Sequence, residues 1–139
     1  MTKPQVLILC TGNSCRSQMA EGALRSIAGD RLNVFSAGTD PKPIHPSAIQ
    51  VMQEIGVDIS GQQSNHVDEY LGEPLAFVVT VCSNADENCP AHFVGAPQRM
   101  HWPFEDPAKF EGTQEETLAQ FRKVRDQIVA RFEQWVAEV

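Results

Sequence analysis

Nothing in the sequence approaches the roughly 20 consecutive apolar residues that a membrane-spanning helix needs; its apolar stretches, such as Val6-Leu7-Ile8-Leu9, are the size of a single strand. Positive charge is scarce: 11 lysines and arginines stand against 18 aspartates and glutamates, for a net charge of −7. That balance excludes a general nucleic-acid binder, because phosphate backbones demand a basic face. An anion bound here must be held by local donors against the overall field. The opening MTKPQVLILC carries only a short apolar run with no small-residue cleavage site behind it. A secretory signal is therefore not expected, and the chain reads as cytoplasmic. Internal repeats, low-complexity tracts and linkers are all missing. The 139 residues are expected to form one domain, residues 1–139, with a core of its own.

Against that background the four cysteines, Cys10, Cys15, Cys82 and Cys89, call for a chemical explanation. A reducing compartment gives disulfide staples no role, so catalytic, redox or metal-binding thiols are expected instead. Cys82, Cys89 and His92 have a Cys-x6-Cys-x2-His spacing that matches no strong zinc pattern. His45, His66 and His101 form no helical pair or triad, and no metal centre is expected.

Hydrophobic periodicity predicts alternating strands and helices. Gln5 to Cys10 reads as a buried strand, and Ser17 to Ala28 as a helix with Ala20, Ala23, Leu24 and Ile27 on one face. Leu32 to Ala37 is a second strand, Pro46 to Ile55 a helix stopped by Gly56, and Asn65 to Leu71 a short helix. Leu75 to Cys82 is the strongest strand signal, and Gln98 to Trp102 a short fourth strand. Thr113 and Glu116 form a capping box before a long helix whose stripe runs Leu118, Phe121, Val124, Ile128, Phe132 and Trp135. This α/β pattern implies a four-stranded parallel sheet of order 2-1-3-4 with helices on both faces. The first and third strands are then neighbours about 4.8 Å apart. Cys10 and Cys82 would share the carboxyl edge of the sheet, within reach of a disulfide after some loop movement.

The stretch CTGNSCRS, Cys10 to Ser17, lies between a strand and a helix. Such a loop, with Thr11, Gly12, Asn13, Ser14, Cys15, Arg16 and Ser17, aims several main-chain N–H groups at one point, with the helix dipole behind them. Gly12 and Asn13 permit unusual dihedrals, and Arg16 offers a planar fork for two oxygens of a tetrahedral anion. Cys10 in that setting is expected to have a depressed pKa and act as a nucleophile. Ser17 is expected to bond the thiolate or cap the helix, and Cys15 to turn its sulfur into the core or to trap an oxidised Cys10. Asp106, in the Pro-flanked loop after the fourth strand, is the candidate acid for a leaving oxygen.

CTGNSCRSQMAEG, the CSNADENCP segment from Cys82 to Pro90, and the HW-x-F-x-DP stretch from His101 to Pro107 resemble the thioredoxin-coupled arsenate reductases. Those enzymes share the low-molecular-weight protein tyrosine phosphatase fold, and the similarity runs over nearly the whole chain. It implies Cys10 as nucleophile, Arg16 and Ser17 in the anion loop, Asp106 as acid, and Cys82 and Cys89 as redox partners. Reduction of As(V) to As(III) takes two electrons, which two thiols supply on forming one disulfide. The implied relay passes a disulfide from Cys10–Cys82 to Cys82–Cys89 and on to thioredoxin as external reductant. Tyrosine phosphatase activity is the rival reading. Phosphatases of this fold usually place aromatic residues after the Asp-Pro pair and a proline after the Arg-Ser, where this chain has Ala108-Lys109 and Gln18. Some relatives hold a potassium ion behind the loop with Asn13, Glu21 and Ser36; all three are present, but Gln63-Ser64-Asn65 lacks the expected acidic residue. A monomer without bound cofactor is expected.

Overall fold

The computed structural model describes residues 3–82 and 97–139. Cys89, and with it His92, lies outside the described residues. β1 (Gln5–Cys10), β2 (Asn33–Gly38), β3 (Phe77–Thr80) and β4 (Gln98–His101) form one parallel sheet in the order β2-β1-β3-β4. The central position of β1 follows from its composition. Val6, Leu7, Ile8 and Leu9 are all fully buried, as a strand covered on both faces must be. Register pairs Leu9 with Ala37 on one side and with Thr80 on the other, so the strand ends line up at one edge.

Among the described residues three helices flank this sheet: α1 (Arg16–Ala28), α2 (Pro46–Gln53) and α3 (Gln114–Glu138). α1 begins one residue before the expected Ser17. α3 starts from the expected capping box, with Thr113 Oγ1 accepting from Glu116 N–H and Glu116 Oε1 accepting from Thr113 N–H, both at 3.1 Å. Its apolar stripe is buried from Leu118 to Trp135. Trp135 meets Phe77 of β3 edge-on at 5.0 Å between ring centroids, and Phe132 meets Trp102 at 5.2 Å. Asn65–Leu71 contracts to a single helical turn, Val67–Tyr70, capped by His66.

Several boundaries differ from expectation: β2 runs Asn33–Gly38 instead of Leu32–Ala37, β3 starts at Phe77 instead of Leu75, and β4 stops at His101 instead of Trp102. β3 ends at Thr80 rather than Cys82, although Val81 N–H still donates to Leu9 O at 2.9 Å. Cys82 therefore sits just beyond the strand, in the loop region of the carboxyl edge. α2 stops at Gln53, followed by Gly56 at φ +80°, a left-handed conformation that suits glycine.

The end of α2 is anchored on α3 by charge. Buried Arg125 donates to Val51 O at 2.9 Å, placing a cation at the negative end of α2. Glu54 accepts from Arg125 Nη1 at 2.8 Å and takes a two-pronged contact from Arg122 at 2.9 and 2.8 Å. The Arg122 hydrogen bond, joined by that of Arg125, holds the Glu54 carboxyl down to about 2 from 4.5. A depressed carboxylate contributes stability that is complete above its unfolded value and is lost as pH falls towards the folded one. Glu54→Gln should therefore melt below the wild type at pH 6, and the difference should close between about pH 4.5 and 2. Thermal melts of both proteins across that range check this.

A candidate oxyanion site at the carboxyl edge

The loop from Thr11 to Cys15 joins the end of β1 to α1 and is clamped from outside. The segment Asp40-Pro41-Lys42-Pro43-Ile44-His45 runs alongside it, and two prolines without N–H groups keep it extended. Asp40 N–H donates to Thr11 O at 2.9 Å, Lys42 N–H to Gly12 O at 2.7 Å, and His45 N–H to Ser14 O at 2.9 Å. These carbonyls are thereby drawn outward. The main-chain N–H groups of Gly12 to Cys15 donate to no protein acceptor among the described residues. The loop can lie this close to β2 because residue 38 is glycine. A Cβ there would come within 2.4 Å of Thr11 O.

Asn13 holds the interior of the turn. It is fully buried and has φ 47°, the left-handed region that asparagine tolerates. Its Oδ1 accepts from Asn65 N–H at 2.8 Å, which fixes its amide orientation. Its Nδ2 therefore donates to Ser17 Oγ at 2.8 Å and Ser36 Oγ at 2.9 Å. Ser17 is buried behind the loop and gives α1 no side-chain cap, which corrects that alternative.

In front of the loop opens a cleft of about 950 Å³. Cys10, Thr11, Gly12, Ser14, Cys15 and Arg16 line one side, with Cys82 beside them and residues 103–107 opposite. Asn13 and Ser17 are not in its wall. Phe104 N–H donates to Val81 O at 3.0 Å, bringing the following loop over the end of β3. Arg16 Nη1 then donates to Phe104 O at 3.1 Å, and its Nη2 lies 3.4 Å from Asp106 Oδ2. Asp106 Oδ1 accepts from Ala108 N–H at 3.0 Å, capping the turn Pro107–Lys109. It also accepts from the Cys15 thiol at 3.6 Å. The expectation that Cys15 turns its sulfur into the core is corrected: the sulfur faces Asp106. Burial, then the Asp106 charge, pushes the Cys15 thiol up to about 11, so it remains a donor at neutral pH.

Cys10 and Cys82 are both buried and line the same cleft. Cys82 Sγ also lies 3.3 Å from Thr11 Oγ1. The expected depression of the Cys10 pKa is overturned in this arrangement. The Cys82 hydrogen bond first, and burial second, push Cys10 up, with Arg16 pulling the other way. Movement of Cys82 away from Cys10 would therefore favour the anionic form of Cys10 beside Arg16.

The cluster behind the loop does bring Asn13, Glu21 and Ser36 together, but as a closed hydrogen-bond chain. Asn13 points its N–H donor at Ser36, and Ser36 donates to Glu21 Oε1 at 2.5 Å. The remaining Glu21 oxygen is 2.8 Å from Arg25 Nη1. With a donor facing inward and the carboxylate already neutralised, these residues do not fit a potassium ion. Among the described residues no group of three or more His, Cys, Asp or Glu could hold a metal.

Sequence reasoning missed Gln18, Ser64 and the backbone donors at residues 40, 42 and 45. A main-chain N–H has no residue signature; the alternating prolines at 41 and 43 were the one available hint.

Residues 5–139 match the low molecular weight phosphotyrosine protein phosphatase family. The chain is 49% identical over 131 residues to an arsenate reductase of Halalkalibacterium halodurans, covering 94% of each. It is 43% identical over 132 residues to an arsenate reductase of Bacillus subtilis, covering 94% of this chain and 93% of that one. A solved structure described as an arsenate reductase in the phosphate binding state superposes with a TM-score of 0.83 at 34% identity, covering 98% of both chains. The chain thus belongs to the low molecular weight phosphotyrosine protein phosphatase family, within its arsenate reductase group.

Proposed function

We propose that this protein reduces arsenate to arsenite through a relay of three cysteines, Cys10, Cys82 and Cys89, with thioredoxin as the external reductant. The observation that carries the reading is that Cys10 and Cys82, brought to one edge by the neighbouring strands β1 and β3, are buried in the wall of the same cleft. A phosphatase of this fold needs one thiolate and water; a second thiol against the first supplies the electron pair that reduction requires.

The main-chain donors of residues 12–15 and the Arg16 guanidinium receive the oxyanion. As Cys10 gives its proton to the Asp106 carboxylate its sulfur attacks arsenic; an S–As bond forms, an As–O bond breaks, and Asp106 passes that proton to the departing oxygen, which leaves as water. Cys82 then attacks Cys10 sulfur. An S–S bond forms, the S–As bond breaks, and its electron pair stays on arsenic, which leaves as As(III). Attack of Cys89 on Cys82 frees Cys10 as a thiolate and moves the disulfide to Cys82–Cys89. The dithiol of thioredoxin reduces that bond and closes the cycle. Slow hydrolysis of phosphomonoesters follows as a side reaction, because the first attack is shared.

Cys82→Ser should abolish multi-turnover arsenate reduction, measured as arsenate-dependent oxidation of a thioredoxin system; full steady-state turnover would refute the relay. Cys89→Ser should permit one turnover and stop at a Cys10–Cys82 disulfide. Asp106→Asn keeps the cap on Ala108 but loses the proton donor, and should slow the single-turnover step by about 10²-fold or more. Cys82→Ala removes the largest influence raising the Cys10 pKa. The pH profile of Cys10 alkylation, read by mass spectrometry of its peptide, should therefore move to lower pH in that variant.

A further inference from the structure

Three loop carbonyls, those of Thr11, Gly12 and Ser14, are held outward by main-chain N–H groups. The fourth, Asn13 O, has no main-chain donor among the described residues. It accepts instead from two side chains, Gln18 Nε2 at 2.9 Å and Ser64 Oγ at 2.9 Å. This is also the one described non-glycine residue with positive φ, where the backbone has least intrinsic preference for its conformation.

Both side chains are themselves tied down. Gln18 is fully buried; its Nε2 also donates to Gln63 O at 3.0 Å, and its Oε1 accepts from Gln62 Nε2 at 2.7 Å. Ser64 Oγ is shared with Lys42 O, on the segment that clamps Gly12. Gln18 therefore has both amide protons and its oxygen committed, and it spans α1, the loop and the strap 62–64. Nothing about that arrangement serves the nucleophile directly, since neither side chain lines the cleft.

We propose that Gln18 and Ser64 form a latch that sets the orientation of the Asn13–Ser14 peptide. With the carbonyl held outward, the Ser14 N–H on the opposite side of that peptide is presented to the oxyanion. With both donors gone, the peptide is free to rotate, and a carbonyl dipole then faces the guest in place of an N–H. This deepens the reading of the loop as an oxyanion cradle and rests on it. Gln18 and Ser64 are positioning residues: they set anion affinity without touching the anion or Cys10.

The redundancy makes a distinctive prediction. Gln18→Met, close in size but without donors, and Ser64→Ala should each weaken phosphate binding by about 3- to 10-fold, the ordinary worth of one hydrogen bond. The double variant should lose more than the product of the two, over about 100-fold, because each single variant still holds the same peptide. Inorganic phosphate is the probe, read as protection of Cys10 against alkylation. The anion-free alkylation rate and the melting temperature are measured alongside. Gln18→Met combined with Ser64→Thr, which keeps the hydroxyl, should return affinity to the level of Gln18→Met alone. Unchanged phosphate protection in the double variant would overturn the latch. So would a loss that tracks melting, or one matched by the anion-free alkylation rate. Failure of phosphate to protect even the wild type would instead bring down the cradle reading, and the latch with it.

Discussion

An oxyanion can sit at the end of β1 only if the peptide groups of residues 11–14 turn their carbonyls away from it. A single inward carbonyl would set a negative dipole end against a negative guest in a chain whose net charge is already −7. The molecule meets that constraint from behind the loop. The Pro-rich strap at 40–45 takes three carbonyls, Gln18 and Ser64 take the fourth, and Asn13 fills the interior of the turn. Gly38 is the complement on the sheet side, where a side chain would collide with Thr11 O. The residues that face the cleft therefore depend on a larger set that does not.

The sheet order adds the second requirement. Because β3 lies next to β1, Cys82 emerges beside Cys10 instead of at a distant edge. That closeness has opposing effects. It puts a second sulfur where the proposed cycle needs one, yet it raises the Cys10 pKa and so opposes the thiolate with which that cycle would begin. Arg16 is the compensating charge, itself aligned by Phe104 O and Asp106. In the proposed cycle the bound oxyanion and a displaced Cys82 would resolve the conflict, and the same contact would be re-formed at the reducing step.

Much of the fold was legible because its signals are local. Val6 to Leu9 are apolar without alternation, as a strand buried on both faces must be, and the stripe from Leu118 to Trp135 has helical spacing throughout. The errors fall where pairing rather than composition decides an end. Val81 and Cys82 continue the apolar pattern of β3, but its paired registers with β1 and β4 both end at Thr80. In the site, the nucleophile, the arginine and the acid were readable as residue types at a strand–loop–helix junction. The orientation of Cys15 towards Asp106 was not, since those residues are 91 positions apart in the chain. Nor was the misfit to a cation: Asn13, Glu21 and Ser36 are the right types, and only the amide orientation imposed by Asn65, together with the Arg25 ion pair, turns the cluster into a closed chain of donors and acceptors.

The amino-acid sequence by itself determined the alternation of strands and helices, the parallel sheet that such alternation implies, and the presence of a thiol and a guanidinium on one short loop. Those are consequences of periodicity and spacing, which a linear chain carries. Tertiary structure alone decided which way each loop peptide faces, that Cys82 shares the cleft with Cys10, and which side chains lock Asn13. Those depend on hydrogen-bond partners arriving from residues 36, 40–45 and 62–65, and a hydrogen bond across such separations leaves no mark on either partner until the chain has folded.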